Sequence, residues 1–276
     1  MENKRLDAIV CGLLGVSREY AKELIQGGKV TVGGKSSTKP GVKFPENTVV
    51  VVDADPPKYV SRGGLKLEKA FEVFDVDVNG LNCMDIGAAT GGFTDCMLQY
   101  GADKVFAVEN GHGQMSEKIL NDPRVISREG LDIRDLRPAD LPFAPQFVAV
   151  DLSFISLTHV LSKIAELLED ESQALLLVKP QFEAGRGKVG KNGVVKNPKD
   201  HVDALNNACD AACSWRLQPV AVDFSPIKGQ NGNLEYLLLV EKTHPSNVEL
   251  ALHNVTHGGI KTAVNNAFAT LKTNND

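Results

Sequence analysis

The sequence predicts an α/β protein, in which a parallel sheet carries helices on both faces and follows a small α+β unit. From about residue 60 onward, short apolar segments alternate with amphipathic ones, as is typical of such sheets. Ahead of them, the two prolines of DADPPK (53–58) interrupt regular structure and indicate a linker. The predicted strands are 82–87, 104–109, 124–127, 147–152, 174–179 and 234–241, and the predicted helices lie near 65–74, 92–100, 157–169 and 200–213.

Length and composition are those of an ordinary globular protein. The 276 residues suffice for one large domain and one small one, and 42% are hydrophobic and 24% charged. We divide the chain into a small domain at 1–54, a linker at 55–62 and a large domain at 63–276. No run of about 18 apolar residues occurs, so we expect no membrane span. The first twenty residues mix charged with apolar residues, and we therefore expect no signal peptide.

Cysteine usage and charge bear on location and partners. The five cysteines form no CxxC pair, which favours reduced thiols and a cytoplasmic protein. The net charge of −5 argues against nucleic acid as a partner, but residues 1–52 hold eight Lys or Arg against five Asp or Glu. A basic head on an acidic body indicates an anionic partner near the N-terminus, with a solvated surface as the alternative.

The first fifty residues have the pattern helix–helix–hairpin. Leu6, Val10 and their neighbours predict one short helix, and Ser17 is a candidate N-cap for a second. The next segment alternates apolar and polar residues up to Gly33-Gly34, a hairpin-type turn.

This unit resembles the S4 RNA-binding domain. The family usually has asparagine where Gly33 stands, and both residues tolerate positive φ, so we expect the turn to be kept. The resemblance implies that basic side chains contact RNA phosphates, which position the RNA without reading its bases. Those side chains are Arg5, Arg18, Lys22 and Lys29, and the matching residues are Arg5-Leu6-Asp7, Ser17-Arg18, Ala21, Leu24-Ile25, Gly28, Val30 and Val32-Gly33-Gly34.

The stretch MDIGAATGGFTD, at 84–95, predicts a nucleotide site. An apolar strand ends in small residues and glycines, which allow a backbone to approach a bound nucleotide. The third position of a G-x-G-x-x-G dinucleotide fingerprint, its second glycine, is replaced by Ala89, which favours S-adenosylmethionine over a nicotinamide or flavin. Glu109, at the next strand end, can accept bonds from ribose hydroxyls in either case. A purely structural strand–turn–helix is the alternative.

Four polar residues stand at the carboxyl ends of predicted strands. They are Asp85, Glu109, Asp151 and Lys179. Ligands of open parallel sheets bind at that edge, so we expect the four side chains to face one crevice.

Four longer blocks carry a second resemblance: YVSRGGLKL (59–67), VDLSFISL (150–157), LLVKPQFEAGRGKVGKNGVV (176–195) and GNLEYLLL (232–239). With the S4-like head they closely resemble the TlyA family of ribosomal RNA 2′-O-methyltransferases, also labelled haemolysin A. The catalytic half of that family is similar to FtsJ-type RNA methyltransferases, which implies a Rossmann-like class I methyltransferase sheet. The chain departs from the family pattern at Ala89 (often serine), Glu109 (usually aspartate) and His112 (commonly tyrosine).

The resemblance implies a catalytic tetrad of Lys66, Asp151, Lys179 and Glu235. A ribose 2′-hydroxyl is a poor nucleophile, and a lysine can take its proton only when the lysine pKa falls toward neutrality. We assign that role to Lys179, with Lys66 as the neighbouring cation and the two carboxylates holding both amines. Surface and capping roles are the alternatives.

The resemblance also implies where the cofactor S-adenosylmethionine and the RNA bind. The cofactor residues are Asp85, Gly87, Ala88, Gly91, Gly92, Phe93, Glu109, Asp132 and Asp151. Lys188 and Lys191 lie in the glycine-rich basic segment 183–199, which we expect to close over RNA, with a loop that makes no contacts as the alternative. We expect no metal, because His253 and His257 have no third ligand, and no stacking platform, because exposed aromatic runs are scarce.

The resemblance implies 2′-O-methylation of the ribose of a cytidine in 16S ribosomal RNA, 23S ribosomal RNA or both, within ribosomal subunits. The extended tail at 245–276 favours the form that acts on both subunits. A non-catalytic RNA-binding or ribosome-assembly factor that keeps a methyltransferase fold is the alternative. Direct pore formation has no support, because no long amphipathic or apolar span occurs.

Overall fold

The computed structural model of the chain describes residues 3–16, 18–54, 57–244 and 255–272. Ser17, the expected N-cap, and His253 lie outside the described residues, as do 245–254 and 273–276 of the tail.

The N-terminal part contains two short helices and two small sheets. Its elements are β1 (Asn3–Arg5), α1 (Leu6–Leu14), α2 (Arg18–Gln26), β2 (Val30–Val32), β3 (Lys35–Ser36), β4 (Lys43–Pro45) and β5 (Val50–Val52). β1 pairs with β4, and β2 lies between β3 and β5, in antiparallel pairs throughout. Leu6, Val10, Ala21 and Ile25 are fully buried and form its core. The expected helix–helix–hairpin order is confirmed.

The hairpin turn between β2 and β3 has the backbone that the sequence predicts. Gly33 and Gly34 have φ of +56° and +79°. Positive φ at both central residues matches the twist of the flanking strands. The glycine that replaces the usual asparagine therefore keeps the turn.

The larger part is built on one seven-stranded sheet. Its elements are α3 (Gly63–Phe74), β6 (Asn82–Ile86), α4 (Gly92–Gln99), β7 (Lys104–Glu109), α5 (Glu117–Leu120), β8 (Val125–Glu129), β9 (Phe147–Val150), α6 (Leu161–Leu167), β10 (Gln173–Val178), α7 (Pro180–Glu183), α8 (Pro198–Cys213), β11 (Leu217–Phe224), β12 (Tyr236–Lys242) and α9 (His257–Lys272). The strand order is β11-β12-β10-β9-β6-β7-β8. One apolar cluster joins α3, α4 and α5 to one face, and a second joins α6, α8 and α9 to the other. Helices on both faces are confirmed.

The sheet is mostly parallel, as predicted, with antiparallel pairing at the edge formed by β12 and β11. β12 runs antiparallel to β10 and to β11. The pattern also gave no strand at β11, whose pairing with β12 is irregular between Pro219 and Ala221. Proline cannot donate to a ladder, so Pro219 argued against a strand, although an edge position tolerates it.

The second half of the predicted linker 55–62 packs with the larger part. Tyr59 and Val60 are 2% and 5% exposed and belong to the cluster under α3 and α4. The backbone N–H of Val60 donates to the buried carboxylate of Asp95, at 2.9 Å. Gly64 is required here, because a Cβ would overlap the Tyr59 ring.

Candidate active site

A cleft of about 740 Å³ lies at the carboxyl ends of β6, β7 and β9. Its walls include Gly87 after β6, Glu109 at the end of β7, Asp132 after β8 and Asp151 after β9. Strands of an open α/β sheet bring their loops together at this edge, which explains why residues distant in sequence meet.

Lys66, Asp151, Lys179 and Glu235 come together beside this cleft. Lys66 Nζ lies 2.7 Å from Glu235 Oε2 and 3.6 Å from Asp151 Oδ2. Lys179 Nζ lies 2.6 Å from Asp151 Oδ1. Asp151 is therefore shared between two amines, and Glu235 holds the first of them.

The four side chains form a charge-balanced group of low exposure. Lys66, Lys179 and Glu235 are 8%, 7% and 2% exposed, and Asp151 is partly buried. Burial of Lys66 opposes its charge, but Asp151 and Glu235 outweigh it and raise the pKa of the amine above its ordinary value. Burial of Asp151 likewise opposes its charge, yet Lys66 and Lys179 bring its pKa below the ordinary value. The two carboxylates therefore favour the charged form of Lys66.

Each member is placed by a local feature of the chain. Lys66 lies on the buried side of α3, Asp151 directly follows β9, and Lys179 directly precedes the proline that starts α7. Glu235 precedes β12, and a Cβ at Gly229 would overlap its carboxylate. Only glycine allows the 229–232 turn to approach this carboxylate so closely.

Gly87, the first residue after β6, brings the turn that follows this strand against the tetrad. Gly87 has φ of +86°, and a Cβ there would overlap the carbonyl oxygen of Asp151. The N–H groups of Gly87 and Ala88 both donate to Val108 O, at 2.9 and 3.1 Å. The turn is thereby fixed between two strand ends.

Asp85 has an unsatisfied buried oxygen below this turn. Its Oδ2 accepts from the Thr94 N–H and hydroxyl at 2.9 and 2.6 Å, whereas its Oδ1 has no hydrogen-bond partner among the described residues. Complete burial raises the pKa of Asp85 to about 7. A buried carboxylate oxygen without a donor fits a ligand ammonium group, such as the amino group of S-adenosylmethionine.

Glu109 and Asp132 line the cleft with their carboxylates engaged. Glu109 accepts from Ala89 N at 3.0 Å and from Gly111 N at 2.7 Å. Both oxygens of Asp132 face Arg134, whose guanidinium reaches Oδ2 at 2.5 Å. Carboxylates at these positions can accept bonds from ribose and adenine groups, and Arg134 would then have to share Asp132.

The other expected cofactor residues lie off the cleft wall. These are Ala88, Gly91, Gly92 and Phe93, and Asp85 is beneath it. A Cβ at Gly92 would overlap Ser61 Oγ and lie 3.0 Å from Gly64 N, so helix packing alone explains this glycine. Gly91 has φ of +95°, which L side chains rarely adopt.

Two cleft residues, Ser153 and Phe154, escaped the sequence analysis. Ser153 Oγ lies 2.9 Å from Lys179 Nζ. Phe154 has φ of +67° and is 83% exposed, with its ring 5.5 Å from that of Phe182. The block VDLSFISL contained both, but the backbone turn that exposes the ring has no sequence signature. The exposed Phe154 ring is thus an aromatic surface that the sequence did not indicate.

Some of the basic residues expected to bind RNA are exposed, and others form ion pairs with carboxylates of the chain. Arg18, Lys29 and Lys191 are exposed. Arg5 pairs with Asp7 at 2.6 Å, while Lys22 is partly buried. Lys188 pairs with Asp200 at 3.2 Å and Asp203 at 2.9 Å, both on α8.

The described parts of the chain lack two further kinds of feature. No cluster of three or more His, Cys, Asp or Glu side chains there is arranged to hold a metal ion. No helix there has the length and apolar character needed to cross a membrane. His257 Nδ1 lies 3.3 Å from the side chain of Asn206.

The mixed seven-stranded sheet, with helices on both faces and a cleft at its carboxyl edge, has the architecture of the Rossmann-like methyltransferases. Family comparison agrees: residues 59–242 match the FtsJ-like methyltransferase family and residues 4–50 match the S4 domain. The chain belongs to the FtsJ-like methyltransferases, whose methyl donor is S-adenosylmethionine, and carries an S4 domain.

Its relatives are similar over nearly their whole length. The 16S/23S rRNA (cytidine-2′-O)-methyltransferase TlyA of Mycobacterium tuberculosis is 39% identical over 236 residues, 85% of this chain and 88% of that one. Hemolysin A of Brachyspira hyodysenteriae is 41% identical over 224 residues, 80% of this chain and 92% of that one. The solved structure of a candidate hemolysin from Streptococcus thermophilus superposes with a TM-score of 0.81 at 39% identity, covering 99% of this chain and 98% of that one.

Proposed function

We propose that this chain methylates the 2′-hydroxyl of a cytidine in ribosomal RNA, within ribosomal subunits of the cytoplasm. The observation that carries the proposal is the pairing of Lys66 with Glu235 and of Lys179 with Asp151 beside the cleft. The TlyA relative is named for this activity on 16S and 23S rRNA, and the S4 domain supports an RNA substrate.

In this proposal the four tetrad side chains prepare the ribose hydroxyl. S-adenosylmethionine supplies a methyl group on a sulfonium that departs as a neutral thioether. Lys179 faces the hydroxyl and removes its proton, while Asp151 fixes the direction of the amine. Lys66, held by Glu235, stabilises the negative charge that develops on the ribose oxygen. Alignment of the two substrates supplies much of the remaining acceleration.

The other cleft residues would hold the two substrates. The unsatisfied oxygen of Asp85 would accept a hydrogen bond from the amino group of the methyl donor. Glu109 would accept hydrogen bonds from the ribose hydroxyls of the donor. Phe154 offers a face on which the target base can stack. We further propose that the small domain, 1–54, binds RNA and that the large domain, 63–276, carries out methyl transfer. The linker 55–62 connects these two domains.

The test is methyl transfer from labelled S-adenosylmethionine to unmodified small and large ribosomal subunits. We expect label in RNA with the wild-type protein and none with K179A. K163A is the matched control, because Lys163 pairs with Glu166 on the surface of α6, and it should keep wild-type activity. The labelled subunit identifies the target.

The alternative, a binding factor without catalysis, makes the opposite prediction. Such a protein would bind S-adenosylmethionine and RNA but transfer no label. This outcome with the folded wild-type protein would overturn the proposed function.

A further inference from the structure

The Lys179 amine has two acceptors that belong to the same loop. Its Nζ lies 2.6 Å from Asp151 Oδ1 and 2.9 Å from Ser153 Oγ. Ser153 is exposed on the cleft wall, two residues beyond Asp151. The tetrad account uses Asp151 and leaves the serine without a role.

The geometry of the Lys179 amine suggests a role for Ser153. A lysine that removes a proton does so in its neutral form, which has two N–H bonds and one lone pair, arranged approximately as a tetrahedron. The ionised Asp151 carboxylate only accepts, and the serine oxygen can accept a second N–H. With both hydrogens placed, the direction of the lone pair is fixed as well.

We propose that Ser153 is a positioning residue that aims the Lys179 lone pair at the ribose 2′-hydroxyl. This inference rests on the proposed function. In the methyl-transfer step, a bond forms between the ribose 2′-oxygen and the methyl carbon as the bond from that carbon to the donor sulfur breaks. The electron pair of the broken bond stays on sulfur. The hydroxyl proton passes to Lys179 Nζ, and Ser153 neither gains nor loses a proton.

The loop that carries Ser153 has anchors that do not involve Lys179. Glu183 accepts from Ser156 Oγ at 2.6 Å and from Leu157 N at 2.8 Å. Phe154 packs against Phe182, one residue before that glutamate. Removal of the Ser153 hydroxyl should therefore leave the loop in place.

The variant that tests the proposal is S153A. With one N–H free to turn, we expect kcat for methyl transfer to fall about 10- to 100-fold, the usual penalty for a misaligned catalytic group. KM for S-adenosylmethionine and for ribosomal subunits should change less than twofold. S153T should restore kcat, because it returns a hydroxyl and the exposed site has room for the methyl group.

The matched control is S156A, which removes a hydroxyl from the same loop without touching Lys179. Leu157 N still binds Glu183 in this variant, so kcat should stay within about twofold of the wild type. Thermal unfolding and the dissociation constant for S-adenosylmethionine verify that each variant is folded.

The outcomes separate this proposal from the proposed function. Label transfer by the wild type and its loss in K179A support the function whatever S153A does. If S153A then matches the wild type, or if S153T stays as slow as S153A, the positioning role is wrong. An equal loss in S156A would also contradict it, because loop disturbance would then explain both. No transfer by the wild type would overturn both proposals.

Discussion

At the scale of single residues, the buried carboxyl group of Asp85 is the one that we propose binds the amino group of the methyl donor. Burial raises its pKa to about 7, so the free protein holds a proton there through much of the acidic range. A ligand ammonium would be paired only with the ionised form. Binding of such a ligand is therefore coupled to loss of that proton.

We expect wild-type affinity for S-adenosylmethionine to weaken as the pH falls below about 7, approaching tenfold per pH unit. D85N carries no titratable group at this position, so its affinity should be weaker at pH 8 and nearly constant between pH 5.5 and 7. Isothermal titration calorimetry across this range measures both. Parallel pH profiles for the two proteins would contradict the assignment of Asp85.

Substitution of Gly87 tests the contact between the turn after β6 and the tetrad. G87A adds backbone strain at φ of +86° and an overlap with the Asp151 carbonyl, so we expect unfolding free energy to fall by about 3 kcal/mol and methyl transfer to be lost. G80A is the matched control, because Gly80 has φ of +74° with nothing within 4 Å of the added carbon. It should cost about 1 kcal/mol and leave transfer intact. Denaturant unfolding and label transfer together decide.

At the scale of elements, the glycine-rich basic segment 183–199 is held in two ways. Hydrogen bonds fix it near Val195, and exposed ion pairs hold it at Lys188. Asn233 accepts from Val195 N at 3.3 Å and donates to Gly193 O at 2.9 Å, which ties this end beside Glu235. Lys188 at the other end is held by Asp200 and Asp203 on α8. Ion pairs of this exposure are weak and yield to a competing phosphate.

If Lys188 binds RNA, it must leave these two carboxylates. K188A should weaken binding of ribosomal subunits and reduce the slope of log affinity against log salt by about 1. The double variant D200N/D203N frees the lysine and should tighten binding a few-fold. Filter binding at several salt concentrations checks both, and no change in either variant would remove Lys188 from the RNA contacts.

The elements also show what sequence patterns can and cannot predict. Apolar runs that stop at a charged residue predict where the strands end. They thereby also predict the sheet edge at which Asp85, Asp151 and Lys179 lie. Lys66 and Glu235 were assigned by family resemblance, because a helix lysine and a strand glutamate are unremarkable in sequence. The exposure of Phe154 depends on a single positive φ, and the antiparallel edge at β12 depends on pairing, so neither is encoded in a local pattern.

At the scale of the whole molecule, we propose that RNA binding and methyl transfer belong to different parts of the chain. Arg18 and Lys29 are exposed on the S4 domain, and the tetrad lies in the larger part. R18A/K29A should raise KM for ribosomal subunits at least several-fold while kcat at saturation and affinity for S-adenosylmethionine stay unchanged. Steady-state kinetics with subunits as the varied substrate measure this. A fall in kcat with unchanged KM would show that the domain serves the chemistry instead.

The central claim is that the Lys179 site places a methyl group on the 2′-oxygen of a cytidine. Mass spectrometry of nucleosides from subunits treated with the wild-type protein tests it most directly. We expect 2′-O-methylcytidine with the wild type and none with K179A. A methyl group on a base, or equal amounts of 2′-O-methylcytidine with both proteins, would contradict it.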